Sequence, residues 1–320
     1  MHRLVRRLAP VALAILLLAA TASSAAAFST SFPTQNLGNG GADVRAIQGF
    51  LAARGFPATV DGVFAATTQD QVKAFQVTRG LPADGIVGAS TWARLIVWVG
   101  FGSKGEAVKV LQRQLNEKRF SRLIVSGVFG RGTRNAVIAF QRHMGLPGNG
   151  RVGLATWRSL LWHYDYPVFN TTSLCDYSDG NGRANWGTGA AVGQLEAAAA
   201  AFFKTGHGRV PVGDLGREHG GNIPGHATHE VGLDADLRLI RKGGNQCTNP
   251  TTYHLLTYDR AATRQLIQAI RAAAPGHVKL IYFNDPVLIA EGLTTRYVGH
   301  DDHLHVRYCE IAYPLARYRC

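Results

Sequence analysis

Residues 61–95 read DGVFAATTQDQVKAFQVTRGLPADGIVGASTWARL, and residues 126–160 read SGVFGRGTRNAVIAFQRHMGLPGNGRVGLATWRSL. The chain therefore repeats itself at a shift of 65 positions: Phe64 meets Phe129, Thr68 meets Thr133, Ala74-Phe75-Gln76 meets Ala139-Phe140-Gln141, and Thr91-Trp92 meets Thr156-Trp157. Upstream, VRAIQGFLAARGF (44–56) and VKVLQRQLNEKRF (108–120) correspond as well, one residue out of step. A self-similarity of this length marks tandem modules. Each copy opens with an amphipathic helix, apolar at Val44, Ile47 and Leu51 or at Val108, Leu111 and Leu115. A glycine turn leads to a second helix, which the pattern caps with Thr68 or Thr133 and buries through Val72/Phe75 or Val137/Phe140. G-L-P ends it, and T-W-x-x-L opens a short third helix. Two all-α three-helix modules are predicted, over residues 37–97 and 100–163.

Upstream of the repeat, MHRLVRRLAPVALAILLLAATASSAAA has a basic head, a short apolar run and an Ala25-Ala26-Ala27 cleavage pattern. Residues 1–27 thus read as a secretory signal peptide, with the run too short for an anchor. No later stretch is apolar enough to span a bilayer, so no stable membrane span is expected. Export makes the four cysteines (Cys175, Cys247, Cys309, Cys320) candidates for two disulfides, with three connectivities open. The net charge is +13, or +10 without Arg3, Arg6 and Arg7. Residues 97–162 hold eleven Lys/Arg against Glu106 and Glu117, whereas 37–96 is nearly balanced. A basic three-helix unit can bind DNA, but export argues against nucleic acid and for anionic wall polymers or a solvated face.

From about Tyr164 the periodicity changes. Helices are expected near 190–204 and after Asp259, with strands near 209–212, at DADLRLI (234–240), at HVKLIYFN (277–284) and at HLHVRYC (303–309). Mixed helices and strands of this kind predict an α+β domain over 165–320 with a small antiparallel sheet.

Two stretches of that domain concentrate histidine and aspartate. In GHDDHLHVRYCE (299–310), His303 and His305 alternate with Leu304, so a strand projects both imidazoles, and Arg307, to one face. In GGNIPGHATHEVGLDADLRLI (220–240), His226 and His229 precede a strand that carries Asp234, Asp236 and Arg238 on one face. A loop histidine, the aspartate seven residues later and His305 supply two imidazoles and one carboxylate. With a fourth position left for water, this is the donor set of a catalytic zinc site. Asp234, Asp301 or Asp302 is available to orient a ligand imidazole. Arg307 is placed to grip a substrate carboxylate or to pair with an acid.

Both halves resemble known families. The D-G-x-F, A-F-Q and G-L-P elements are similar to peptidoglycan-binding modules of bacterial wall hydrolases, with Ser126 for Asp61 and Asn149 for Asp84 leaving the second copy's ligand contacts in doubt. VGDLGREHGGNIPGHATHEVGLDADLRL together with GHDDHLHVR resembles the penicillin-insensitive murein endopeptidases, zinc peptidases related to D-alanyl-D-alanine carboxypeptidases and dipeptidases. The resemblance implies one Zn2+ held by His229, Asp236 and His305, with His303 as catalytic base and His300 at the active-site edge. His226 then either binds a second ion or lines the cleft. It further implies a secreted enzyme, periplasmic or on the outer wall, that cuts the D-alanine–diaminopimelate cross-links of peptidoglycan. The alternatives are carboxypeptidase action on another wall-peptide bond, or a wall-binding protein without catalysis.

Overall fold

A computed structural model describes residues 32–169, 173–177, 184–311 and 316–320. The signal-peptide reading of residues 1–27 lies outside them. No helix among the described residues is long and apolar enough to cross a membrane.

Each repeat folds as three helices: α1 (Ala42–Ala53), α2 (Ala66–Thr78) and α3 (Ala89–Leu95), then α4 (Glu106–Arg119), α5 (Arg131–His143) and α6 (Leu154–Trp162). The apolar stripes behave as their spacing predicts: Val44, Ile47, Leu51, Val108, Leu111, Leu115, Trp92 and Trp157 are fully buried. The two copies share one core rather than two. Phe50 of α1 packs edge-on against Trp157 of α6, with ring centroids 4.9 Å apart. Gly49 of α1 admits the Val110 side chain of α4, which a Cβ at Gly49 would meet at 2.4 Å.

The expected caps are corrected. Thr68 and Thr133 lie in the first turns of α2 and α5, behind Ala65 and Gly130, which occupy the cap positions without side-chain hydrogen bonds. Both threonines instead complete a glutamine-centred staple. Gln48 Nε2 donates to Asp61 Oδ1 (2.7 Å), Val63 O (3.1 Å) and Thr68 Oγ1 (3.2 Å), while its Oε1 accepts from Gly62 N (2.9 Å). Gln112 does the same with Ser126, Val128, Thr133 and Gly127. Gln76 and Gln141 repeat the device around Asp84 and Asn149. Ser126 and Asn149 therefore keep the acceptor that Asp61 and Asp84 supply, and these positions hold the module's own turns.

The C-terminal part is α+β. Its elements are β1 (Leu174–Asp176), α7 (Gly189–Phe203), β2 (Val210–Val212), β3 (Asp234–Arg238), α8 (Arg260–Ala273), β4 (Val278–Tyr282), α9 (Pro286–Ala290) and β5 (His303–Tyr308). Among the described residues the sheet runs in the order β1-β2-β3-β5-β4. It is mixed where an antiparallel sheet was expected, because β1 joins β2 in parallel; the other pairs are antiparallel. Strand alternation sends Ala235, Leu237, Leu304 and Val306 to one face, where α7 and α8 cover them with Leu195, Phe202, Leu266 and Ile270. The opposite face is left for polar side chains. Cys175–Cys247 and Cys309–Cys320 are disulfides.

The modules and the C-terminal part are packed together. Lys118 of α4 is fully buried, and its Nζ donates to Asp43 Oδ1 (2.8 Å), Leu161 O (3.0 Å) and His163 O (2.9 Å), with Asp165 Oδ1 at 4.0 Å. α1 meets α7 through glycines: a Cβ at Gly193 would stand 2.3 Å from Gly41 Cα.

Candidate active site

Register brings the two histidine stretches together. β3 and β5 pair so that Asp236 stands opposite His305, Asp234 opposite Arg307, and Arg238 opposite His303. Directly opposed residues hold their Cβ atoms about 5 Å apart, so one ladder sets the spacing of six polar side chains. The loop before β3 then folds His226 and His229 over Asp236.

Each imidazole has one nitrogen committed to an acceptor, which fixes where its hydrogen sits. His229 Nδ1 is 2.8 Å from Leu215 O, leaving Nε2 to face Asp236 Oδ2 at 3.3 Å. His226 Nε2 is 3.1 Å from Asp214 Oδ2, and its Nδ1 faces Asp236 Oδ2 at 3.5 Å. His305 Nε2 is 3.1 Å from Asp234 Oδ1, and its Nδ1 faces Asp236 Oδ1 at 2.9 Å and His229 Nε2 at 3.3 Å. Three ring nitrogens thus face the two oxygens of the Asp236 carboxylate, an arrangement that needs a cation or protons between them. The donor atoms of His226, His229 and Asp236 all lie within 4.8 Å of one another. Burial opposes ionisation of Asp236, yet hydrogen bonds from His229 and His305 hold its carboxyl well below the usual range. Burial likewise works against charging His305, but hydrogen bonds to Asp234 and Asp236 raise its pKa to about 9.

His303 stands apart from this knot. Its Nδ1 is 2.8 Å from Asp302 Oδ1, so Nδ1 carries the hydrogen, and its Nε2 points toward Asp236 Oδ1 at 3.8 Å. It lines a cleft of about 210 Å3 with Tyr177, Asp214, His226, Asp236 and Arg238. His300 lies at the rim against Tyr282, Tyr297 and His303.

Of the three aspartates offered as orienting groups, Asp234 serves His305 and Asp302 serves His303, while Asp301 accepts from Asn284. Arg307 is committed inward: it donates to Asp234 Oδ2 (2.7 Å), Thr228 O (3.0 Å) and Arg317 O (3.2 Å). The guanidinium that lines the cleft is Arg238, which lies 3.4 Å above the Tyr177 ring. Sequence reasoning missed Asp214, the Leu215 carbonyl and Tyr177, because the β2–β3 connection brings in the first two and the end of β1 the third, all from outside both histidine stretches.

Residues 40–95 and 104–160 match the family of peptidoglycan binding domains, and residues 180–276 match that of penicillin-insensitive murein endopeptidases. Two peptidoglycan-binding modules precede a murein endopeptidase domain. The matched endopeptidase span includes His226, His229, Asp234 and Asp236 and stops short of β5. A curated relative, the N-acetylmuramoyl-L-alanine amidase CwlM of Mycobacterium tuberculosis, is 37% identical over 112 residues, 31% of this chain. The match spans only 28% of that relative's length. Among solved structures, a peptidoglycan-binding protein from Clostridioides difficile in complex with glutamine hydroxamate is 38% identical over 20% of this chain and 40% of its own, with a TM-score of 0.20.

Proposed function

We propose that the protein is a secreted zinc metallopeptidase that hydrolyses the D-alanine–diaminopimelate cross-links of bacterial peptidoglycan, held on the wall by its modules. The observation that carries this reading is the convergence of three imidazole lone pairs on Asp236, with the Nε2 of a fourth imidazole, His303, beside them. His229, Asp236 and His305 are the residues that would hold Zn2+, with His226 completing the site or binding a second ion. The chemistry a bound Zn2+ supplies is Lewis acidity, acting on water and on the scissile carbonyl.

The chain's own residues do the rest. His303 accepts a proton from the attacking water at Nε2 and returns it to the leaving amine. Asp302, on Nδ1, holds the ring in that tautomer and stabilises the imidazolium. Asp234 keeps the His305 ring turned with Nδ1 inward, and Arg307 keeps Asp234 in place. Arg238, on the cleft wall, takes the carboxylate-recognition role that sequence gave to Arg307; the cross-link peptide is rich in carboxylates. In the second module, Trp98, Phe101, Arg134, Arg151 and Leu154 border a groove of about 920 Å3 in which exposed aromatics and arginines suit a glycan-peptide strand. Two disulfides agree with an oxidising compartment.

The test is digestion of purified sacculi, read by mass spectrometry of muropeptides, with and without chelator. Cross-linked dimers should become monomers, and chelator should stop it; release of free D-alanine alone would make the enzyme a carboxypeptidase. His305→Ala should lose metal and activity together. His303→Ala should keep its metal and lose about 100-fold or more in rate, the scale of a missing general base. Equal metal loss in both variants would make His303 a ligand and move the base to His300.

A further inference from the structure

A second group of metal-binding residues lies where the second module meets the peptidase domain. His143 ends α5, His163 follows α6, and Glu218 and His219 sit in the loop between β2 and β3. Four donor atoms from these residues lie within 4.8 Å of one another. His163 Nε2 is 3.2 Å and His143 Nε2 3.3 Å from Glu218 Oε1; His219 Nε2 is 4.0 Å from Glu218 Oε2 and 3.3 Å from His143 Nε2.

Hydrogen bookkeeping makes the group more than a surface cluster. His163 is fully buried, and its Nδ1 is 2.8 Å from Tyr164 O, a pure acceptor, so the ring hydrogen sits on Nδ1. Its buried Nε2 finds no hydrogen-bond partner and is aimed at a carboxylate oxygen. A lone pair facing an anion at that distance calls for a positive charge between them. A proton on His163 would place an imidazolium in a pocket walled by Phe140 and Trp186, with Lys118 donating to the His163 carbonyl. A metal ion meets the same need while using four ligands at once. Trp162 stacks flat on His219 at 5.6 Å, shielding that side from water. Arg119 also donates to Glu218 Oε1, the oxygen that His143 and His163 face, and this ion pair ties the carboxylate to α4.

We propose that His143, His163, Glu218 and His219 form a second, structural site for a divalent transition-metal ion of the Zn2+ class, joining the second module to the peptidase domain. Three imidazoles and a carboxylate close a tetrahedral shell with no position left for a substrate, as structural zinc sites do. The joint reaches the active site: Glu218 and His219 lie three and four residues beyond Leu215, whose carbonyl orients His229. Metal there would fix the loop that positions one of the candidate ligands.

The test is metal content per chain in full-length protein, measured after equilibration with Zn2+ and gel filtration, in four forms: unaltered, His143→Ala, His305→Ala, and both. His143→Ala should bind one equivalent fewer than its parent in either background, so the result stands whether or not His305 belongs to the first site. Binding at this site should weaken by about 100-fold or more, at least the loss that follows from disturbing a ligand's support. Saturating Zn2+ should raise the melting temperature of the unaltered protein more than that of His143→Ala. His143 is half-exposed on α5, so the metal-free melts of the two should coincide; if they do not, Glu218→Gln, which retains a carbonyl for Arg119, replaces it. Co2+ in place of Zn2+ should give the intense visible absorption of a tetrahedral site, reduced in His143→Ala. Equal metal content and equal Zn2+-dependent stabilisation in His143→Ala and its parent would overturn the proposal.

Discussion

Replacing Lys118 by Met should destabilise the protein, and by an amount that depends on pH in a defined direction. All three ammonium hydrogens are used: Asp43 Oδ1, Leu161 O and His163 O receive them at 2.8–3.0 Å inside a fully buried site. Methionine fills the volume but leaves the Asp43 carboxyl and two carbonyls without their donor, and takes the neighbouring cation from Asp165. Breaking a buried pair from one side costs about 3–5 kcal/mol, which for a chain of this size is a drop in melting temperature on the order of 5–10 °C. The penalty falls if the carboxyls take up protons. Burial raises the pKa of Asp43, and burial takes that of Asp165 from 3.8 to about 8 even with Lys118 beside it. A carboxyl whose pKa is higher folded than unfolded contributes stability that is complete below 3.8 and lost as pH rises through about 8. Removing the ammonium pushes both folded values further up, so the deficit of Lys118→Met should be small near pH 5 and grow toward pH 8. Thermal melts by circular dichroism across that range read it directly. A second substitution, Asp43→Leu, should recover much of the loss, because an apolar replacement for a whole ion pair is often neutral. A deficit under about 1 kcal/mol at pH 8, the level of a surface pair, or a deficit that shrinks with rising pH, would refute the reasoning.

Two further outcomes follow from the site and the module groove. Arg307→Met should leave the fold intact but loosen Asp234 and through it His305, weakening metal affinity by roughly 10–100-fold as measured by competition with a chelator; unchanged affinity would detach Arg307 from the site. Trp98→Ala combined with Phe101→Ala should reduce pelleting of the full-length protein with sacculi while leaving hydrolysis of soluble muropeptides unaltered, and added salt should weaken binding of the parent; undiminished pelleting would place wall binding elsewhere.

The local periods were legible in the chain because they are properties of neighbouring residues. A helical stripe at Val108, Leu111 and Leu115, and alternation in DADLR and HLHVRY, need no knowledge of what lies opposite. The two histidine stretches were legible as chemistry for the same reason: a strand sends His303 and His305 to one face whatever it pairs with. Register was not legible. Only pairing of β3 with β5 sets Asp236 against His305 and commits Arg307 to Asp234, and a slip of one residue would have turned the aspartates into the core. Thr68 and Thr133 misled for a related reason. Their helical position suggests a cap, but Gln48 and Gln112, 20 and 21 residues away, supply the partners, and a long-range hydrogen bond leaves no trace in local spacing. Lys118 shows the limit most plainly. Within the sequence it is one of eleven basic residues in a charged stretch. Packing of α4 against α1 and the peptidase domain buries it on Asp43, and the same contact brings His143 and His163 to Glu218 and His219, four residues that no motif connects.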